Sequence, residues 1–574
     1  MTSLAIRAFG GMLPARDNRL LPDAAAELAI NTWLYSGSIE GIVKPRAVHT
    51  LVNPHARSVF RIPMGSPRID DIEQSKWLEF EALSTTVVRS PVNDVDDARY
   101  YIADGLHPPR YTTYSRVVEG LPTLLLGVPT PYRAPEVSAA GGWQLQEEIR
   151  SYTYTWVTKY LEEGPPAEPS APVTARTDAT WTIIVPPPRA EDTSQRELAF
   201  VNIYRTVTSA QNISVFYFVA QMPIADTKYI DVLTNQQVLS HSPLPSTFWA
   251  APPDKLGGLT TLPNGMIAGF VGQEIWYCEP FRPHAWPPQY QTSVDYNIVG
   301  MAALDQILVI GTDNLAYVAT GVHPSAVSSR IVTGSEPCAS QGSFAVVPQG
   351  VIYSSRHGLM LANTGGATNI TKPFISADDW AKLINLNLIS AAILNGAYYA
   401  FSGIFEGSFQ ANAFQTDAFQ IDAPEPSTDG VLIEFNDPRV AVSKLRHPTP
   451  TFKVIQDVWT AEVLLLRDGK VWLLDLPNGD PEEHEWKSKL FQLTKPQNMA
   501  VAKVIYSSVD GPNTGKFEVF AGGKLRLSRP LPVSGKPFRL PSGFKSDNWQ
   551  VRYVGTLAID QIEVATSVQE LSQV

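Results

Sequence analysis

Leu262-Pro-Asn-Gly-Met-Ile-Ala-Gly-Phe270, a Gly272-Gln-Glu turn and Ile275-Trp-Tyr-Cys278 set a pattern that returns twice within residues 258–365. The second copy is Leu304-Asp-Gln-Ile-Leu-Val-Ile310, a Gly311-Thr-Asp-Asn turn and Leu315-Ala-Tyr-Val318. The third is Pro348-Gln-Gly-Val-Ile-Tyr353, a Ser-Ser-Arg-His-Gly358 turn and Leu359-Met-Leu-Ala362. Each reads as a turn, a buried strand, a tight turn and a second strand, which is hairpin chemistry. The second strands start at Ile275, Leu315 and Leu359, so the steps are 40 and 44 residues. Val431-Leu-Ile-Glu-Phe435 and Val471-Trp-Leu-Leu474 continue the series with another step of 40. The longer step from Leu359 to Val431 fits one unit, begun by Ala397-Tyr-Tyr-Ala-Phe401, with a loop over residues 403–429 between its strands. All-β units recurring every ~40–50 residues mark a β-propeller. A β-sandwich with evenly spaced turns is the alternative.

Composition narrows the function classes. The 574 residues suit several domains or one large repeat architecture. Prolines (47) and glycines (38) favour short strands over long helices. The formal charge of −11 is spread along the chain without a basic block, which argues against a general nucleic-acid clamp. Cys278 and Cys338 are the only cysteines, too few for a disulfide framework or a thiolate metal site, so folding in a reducing compartment is expected. The opening Met1-Thr-Ser-Leu-Ala-Ile-Arg7 lacks the apolar core of a signal peptide, and no uninterrupted apolar span has membrane length. A soluble chain without a secretory route or membrane insertion is the expectation.

Along the chain, five regions are expected. Residues 1–57 form an N-terminal arm, in which Asp23 caps a short helix over Ala24–Leu34 that Gly37 ends. Residues 58–142 supply the first propeller strands, Ser58–Ile62, Trp77–Glu81, Thr86–Arg89, Arg99–Ile102 and Arg110–Tyr114. Residues 143–240 change character: short alternating strands such as Arg150–Thr158 flank a Gly164-Pro-Pro-Ala-Glu-Pro-Ser-Ala-Pro172 run too proline-rich for a sheet interior. They suit an inserted β-sandwich. Residues 241–500 hold the main blades, with one helix opened by the capping box Ser376-Ala-Asp-Asp379 and continued by Trp380–Ile384. Residues 501–574 are strands that close the ring against the early strands, burying Ile559, Ile562 and Val564. The fold class is therefore all-β, a propeller with an inserted sandwich and few short helices.

Chemical motifs are scarce. Gly511-Pro-Asn-Thr-Gly-Lys516 is one residue short of a phosphate loop and has Phe517 where the magnesium hydroxyl belongs, so it reads as a hairpin turn. Asn93-Asp-Val-Asp-Asp97 lacks the glycine and distal glutamate of a calcium loop. His484-Glu-Trp lacks the second histidine of a zinc helix, and no G-x-S-x-G elbow occurs. Asn212-Ile-Ser and Asn369-Ile-Thr are chance glycosylation triplets if no secretory signal is present. Propeller glycosidases draw carboxylates from different blades, so Asp305, Asp313, Glu434 and Asp475 are the candidates under an enzyme alternative, although Asp-box turns are absent. The aromatic loop Phe281-Arg-Pro-His-Ala-Trp-Pro287 is a candidate for binding a sugar or a partner protein, or simply packs between blades. Phe405, Phe409 and Phe414, set among small polar residues without strand periodicity, form a candidate gate or partner loop. No catalytic residue, cofactor or metal is assigned.

Several of these stretches carry a resemblance. Gly11…Pro14-Ala-Arg16…Leu21-Pro…Ala29-Ile-Asn31…Gly37-Ser-Ile39…Pro45-Arg46 resembles the opening of the tail-tube nozzle and tail-stabilisation proteins of short-tailed bacteriophages. Trp77…Phe80, Val88…Pro91, Asp96-Asp97…Tyr100-Tyr101, Pro108-Pro-Arg110 and Leu126-Gly-Val-Pro-Thr-Pro131 follow the same family's order. Tyr152-Thr-Tyr-Thr-Trp-Val157, Glu163-Gly-Pro-Pro166, Ser170…Pro172 and Ile203-Tyr-Arg-Thr206 resemble a fibronectin type III-like module, and Val564–Leu571 is similar to the family's last strand. The resemblance implies a structural virion protein without an active site. It would form a homo-hexameric ring below the portal–adaptor complex, contact tail fibres or spikes, and pass double-stranded DNA through its lumen. It would be assembled in the bacterial host cytoplasm and reside in the virion tail. The other readings are a propeller-type carbohydrate-active enzyme, a glycan-binding protein and a host-derived scaffold.

Overall fold

The computed structural model describes residues 3–64, 68–92, 97–208, 214–402, 429–436, 439–474, 479–507 and 514–571. The chain is mostly β, with 49% strand and 10% helix. Four-stranded antiparallel sheets recur in sequence order over residues 86–125, 257–293, 298–331 and 345–369. Local turn chemistry builds them. Asn395 (φ 46°) and Gly396 (φ 85°) form the two-residue loop between Ile389–Leu394 and Ala397–Ser402. Asp468 (φ 51°) and Gly469 (φ 63°) do the same between Val463–Arg467 and Lys470–Leu473. Paired left-handed residues match the right-handed twist of the strands they join.

The chain divides into two compact units. The first comprises Met1–Leu83, Val309–Tyr317 and Ile331–Val574, the second Ser84–Leu308 and Val318–Arg330. In the second unit, Gly257–Leu262, the first strand of its sheet, lies against Thr86–Arg89 and against Ile298–Leu304. In the first unit, Ile389–Leu394 lies against Ala345–Val347 and Thr451–Gln456 in the same manner.

Strands from the N-terminal 50 residues complete sheets made by the C-terminal half of the first unit. Arg46–Thr50 is the fourth strand of the sheet Thr451–Gln456, Val463–Arg467 and Lys470–Leu473. Ser3–Ile6 pairs antiparallel with Ala558–Ala565, in register Leu4 with Val564 and Ile6 with Ile562. Ile559, Ile562 and Val564 are buried, but the N-terminal partner is Ser3–Ile6 rather than a strand within residues 58–114. Ser58–Ile62 pairs instead with Lys76–Phe80. It is tied to the 451–473 sheet by Arg61, whose Nη2 donates to buried Asp457 (2.9 Å).

The helix expected over Ala24–Leu34 is absent. Ala26–Ile30 is a strand, followed by Thr32–Trp33, and the Asp23 carboxylate pairs with Lys489 at 2.7 Å instead of capping. Ala26–Ile30 fills the gap between Arg439–Arg446 and His484–Ser488, joining them into one sheet that runs on to Lys524–Pro530. Two flanking strands offering open backbone groups outweigh the helix preference of an alanine-rich run, which is worth only tenths of a kcal/mol per residue. The other expected helix is present: Ser376 caps Ala377–Leu383 by accepting the Asp379 N–H, and Trp380 is its buried anchor.

In the second unit, Glu136–Ala140, Thr180–Ile184 and Lys228–Asp231 form one sheet. Tyr152–Thr158, Leu198–Thr208 and Ser214–Pro223 form another, and the two share a core of Tyr152, Tyr154, Trp156, Trp181, Ile183 and Ile203. The first of these strands begins at Glu136, upstream of residue 143. The proline run covers the free edge of Tyr152–Thr158: the N–H groups of Gly164, Ala167 and Ser170 donate to Trp156, Tyr154 and Tyr152. The donors recur every third residue, the period of a polyproline II strand, and Pro165, Pro166 and Pro169 fall between them.

Charge is buried in this core as well. Asp231 accepts from Arg150 Nη1 (3.1 Å) and the Tyr152 hydroxyl (2.7 Å), Arg205 Nε lies 3.2 Å away, and Arg150 stacks on Trp181 at 4.5 Å. Removing one partner of such a group strands the others without compensation. Asp231→Ala is therefore expected to lower stability by about 3–5 kcal/mol, read by denaturant unfolding; a loss within ~0.5 kcal/mol would show that the arginines are otherwise satisfied. Deleting residues 556–574 opens the edges of Ser3–Ile6 and Val501–Ser507, and insoluble protein is expected. A soluble truncated monomer with the parent melting midpoint would mean that the first unit closes without its last strand.

Candidate functional site

The second unit holds a cleft of about 460 Å³ where Ser90, Val92, Arg99 and Tyr101 meet residues 160–162 and 280–284. Arg99 opens the strand Arg99–Ala103, whose Tyr101 is buried. Glu162 lies in a closed turn in which Thr158 N–H donates to Glu162 O (3.0 Å) and Leu161 N–H to Thr158 O (3.0 Å). Phe281–Pro287 follows the strand Glu274–Tyr277 and is anchored by Trp286, fully buried, its indole N–H donating to Pro283 O at 2.8 Å. The loop thus packs from its C-terminal end and presents its N-terminal end to the cleft.

Glu162 organises the floor. Its Oε1 accepts from Arg99 Nη1, and His284 Nδ1 lies 3.8 Å from the same oxygen. Burial raises the Glu162 pKa above the ordinary carboxylate range even though Arg99 opposes the shift. Burial, with Arg282 and Arg99 adding repulsion, lowers that of His284 to about 3, so its imidazole is neutral at pH 7. Its Nε2 has no hydrogen-bond partner among the described residues. Arg99 and Lys159 lie 4.7 and 4.9 Å over the Tyr160 ring, and Arg282 covers Trp249 at 4.9 Å. A carboxyl, a guanidinium and a neutral imidazole beside aromatic surface can hydrogen-bond a polar guest.

The carboxylates considered under the enzyme alternative stand in unrelated settings. Asp305 and Asp313 are exposed near hairpin turns, Asp305 at φ 50°. Glu434 is buried and its Oε1 accepts the Leu34 N–H at 3.0 Å, a structural bond to the N-terminal arm. Asp475 lies outside the described residues, as do Phe405, Phe409 and Phe414, residues 93–96 of the acidic turn, 511–513 of the glycine-containing turn, and Asn212. His484 is buried, with Nδ1 3.2 Å from the Glu482 carbonyl oxygen and Nε2 3.2 Å from that of Leu557; burial lowers its pKa to about 4, and the neutral ring donates to one of the two. Asn369 closes a turn by donating to His357 O (3.0 Å). Cys278 and Cys338 are free and buried, with both thiols pushed up to about 12. Among the described residues no cluster of three or more His, Cys, Asp or Glu could hold a metal ion, and no helix is long and apolar enough to cross a membrane.

No protein-family model and no curated protein matches the chain. Solved structures show distant similarity. Hsv2 of Kluyvelomyces marxianus is 8% identical with a TM-score of 0.24, the match covering 48% of this chain and 71% of that one. Sqt1 of Saccharomyces cerevisiae is 9% identical with a TM-score of 0.28, covering 76% and 100%. PorZ of the type-IX secretion system of Porphyromonas gingivalis is 9% identical with a TM-score of 0.25, covering 79% of this chain and 45% of that one. At these levels, function has to be argued from this chain's own residues.

Burial raises the Glu434 pKa to about 7 from an ordinary 4.5. A raised folded-state pKa contributes stability that is complete below about pH 4.5 and lost as pH rises through about 7. Glu434→Gln keeps an acceptor for Leu34 and removes that loss. The variant is expected to match the parent at pH 4 and exceed it by about 1–3 kcal/mol at pH 8, measured by urea unfolding at both pH values. An equal loss of stability with pH in both proteins would assign the slope to other groups.

Proposed function

We propose that the chain is a structural protein of a short bacteriophage tail, a nozzle-type subunit built as a β-propeller with an inserted fibronectin type III-like sandwich. The observation that carries this reading is the ordered run of motifs from Gly11 to Leu571 that resembles that family. The architecture supports it in three respects. Four-stranded sheets follow one another along the chain, and within each unit first strands lie side by side, Gly257–Leu262 beside Thr86–Arg89 and Ile298–Leu304, and Ile389–Leu394 beside Ala345–Val347 and Thr451–Gln456, as the strands of neighbouring blades do. Strands from the N-terminal arm complete sheets of the C-terminal half, which is how a propeller removes its open edges. The 136–231 sheets enter the chain between the meanders at 86–125 and 257–293, as an insertion between blades would.

On this reading six copies form a ring beneath the portal–adaptor complex, with fibres or spikes attached and double-stranded DNA passing through the lumen. The subunit is assembled in the host cytoplasm and carried in the virion tail. A net charge of −11 suits a channel that releases DNA, because a wall without clustered cations offers phosphate no counter-ions. Light scattering of the purified chain, alone and mixed with the adaptor proteins of the tail, tests the proposal. A six-fold mass in either sample is expected; a monomer under both conditions overturns it.

A further inference from the structure

Nine non-glycine residues among those described adopt left-handed φ, and five of them are Asn or Asp, for which this region is ordinary. Of the remainder only Leu161 (φ 61°) and Phe281 (φ 59°) carry large apolar side chains. Both line the same cleft and both leave those side chains in solvent, Leu161 67% and Phe281 56% exposed. A bulky residue held in this region costs on the order of 1–2 kcal/mol. Burial would offset that cost, but here burial is what the two residues forgo. Gly265 adds a matching accommodation: a Cβ there would come within 2.5 Å of the Phe281 ring, so the ring's seat exists because residue 265 has no side chain. The strain holds two apolar surfaces at the mouth of a cleft whose floor is polar.

We propose that this cleft binds one pyranose unit of a glycan. A pyranose presents an apolar C–H face and an edge of hydroxyls, each both donor and acceptor. The cleft offers the complement: the Phe281 ring and Leu161 at the mouth, and below them the Glu162 carboxyl, the Arg99 guanidinium and the His284 imidazole, whose Nε2 is unpartnered among the described residues. Arg282 lines the cleft as well, its guanidinium over the Trp249 ring. A phosphorylated ligand would meet the Glu162 carboxyl, and a purely apolar side chain would cover the ion pair without replacing its hydrogen bonds. The volume of about 460 Å³ lies in the ~300–1,000 Å³ range of small-molecule sites. This site is independent of the tail assignment.

Saturation-transfer NMR on the full chain tests the proposal, with millimolar methyl glycosides of glucose, galactose, mannose and rhamnose, and N-acetyl-phenylalanine amide as the competing probe. At least one glycoside is expected to receive saturation at its ring protons. Phe281→Gly relieves the left-handed strain, so its melting midpoint is expected to match or exceed the parent's while the transfer falls roughly ten-fold. Leu161→Gly is expected to act in the same direction, and Glu162→Gln to weaken transfer without a comparable gain in melting midpoint. Transfer to none of the four glycosides, transfer unchanged in Phe281→Gly, or transfer to the phenylalanine amide alone overturns the assignment.

Discussion

The first unit depends on a strand of five residues. Ala26–Ile30 lies between Arg439–Arg446 and His484–Ser488, and without it one continuous sheet becomes two with facing open edges. Each edge would expose a row of unpaired backbone donors and acceptors. The strand contributes little side-chain bulk, but its small residues allow a close fit: Ala26 and Ala29 are almost fully buried, and Trp486 and Val442 pack in the same core. Gly11 serves the same approach, since a Cβ at that position would lie 2.3 Å from the Val442 nitrogen. The N-terminal arm is thus part of the core of this unit.

What the sequence conveyed, and what it concealed, follows the range of the interactions involved. Asn-Gly at 395–396 and Asp-Gly at 468–469 are turn signals that the sequence itself displays, because two adjacent residues determine each hairpin. The Ser376 cap was legible for the same reason. Ala24–Leu34 was misread because its local preference is helical and its partners lie more than 400 residues away. Residues 558–565 were expected to pair with a strand within residues 58–114, but their partner is Ser3–Ile6, too short and too ordinary to stand out.

The cleft divides in the same way. Phe281–Pro287 attracted notice as an aromatic loop, and its far end does pack as a structural anchor. Arg99 and Glu162 carried no signal, because neither belongs to a motif and they meet only when the start of one strand and a distant turn come together. The left-handed backbone of Leu161 and Phe281 is equally silent in sequence: nothing about Leu or Phe announces φ > 0, whereas Asn or Gly would have. Glu434, the buried carboxylate among the glycosidase candidates, accepts the Leu34 N–H of the N-terminal arm, a contact 400 residues apart in sequence.

Pairing of Ser3–Ile6 with Ala558–Ala565 also fixes an order of events during synthesis. Residues 3–6 must wait for residues 558–565, and at about 5–20 residues per second the stretch between them takes roughly half a minute to two minutes to emerge. Throughout that interval the N-terminal arm has no sheet to join, while the 136–231 module, whose sheets pair internally and extend only to residues 242–244, can complete itself on the ribosome. The two parts of the polypeptide therefore mature on different clocks. A nascent chain that stalls late holds a finished module together with an arm of unsatisfied apolar strands, the state most open to capture by chaperones.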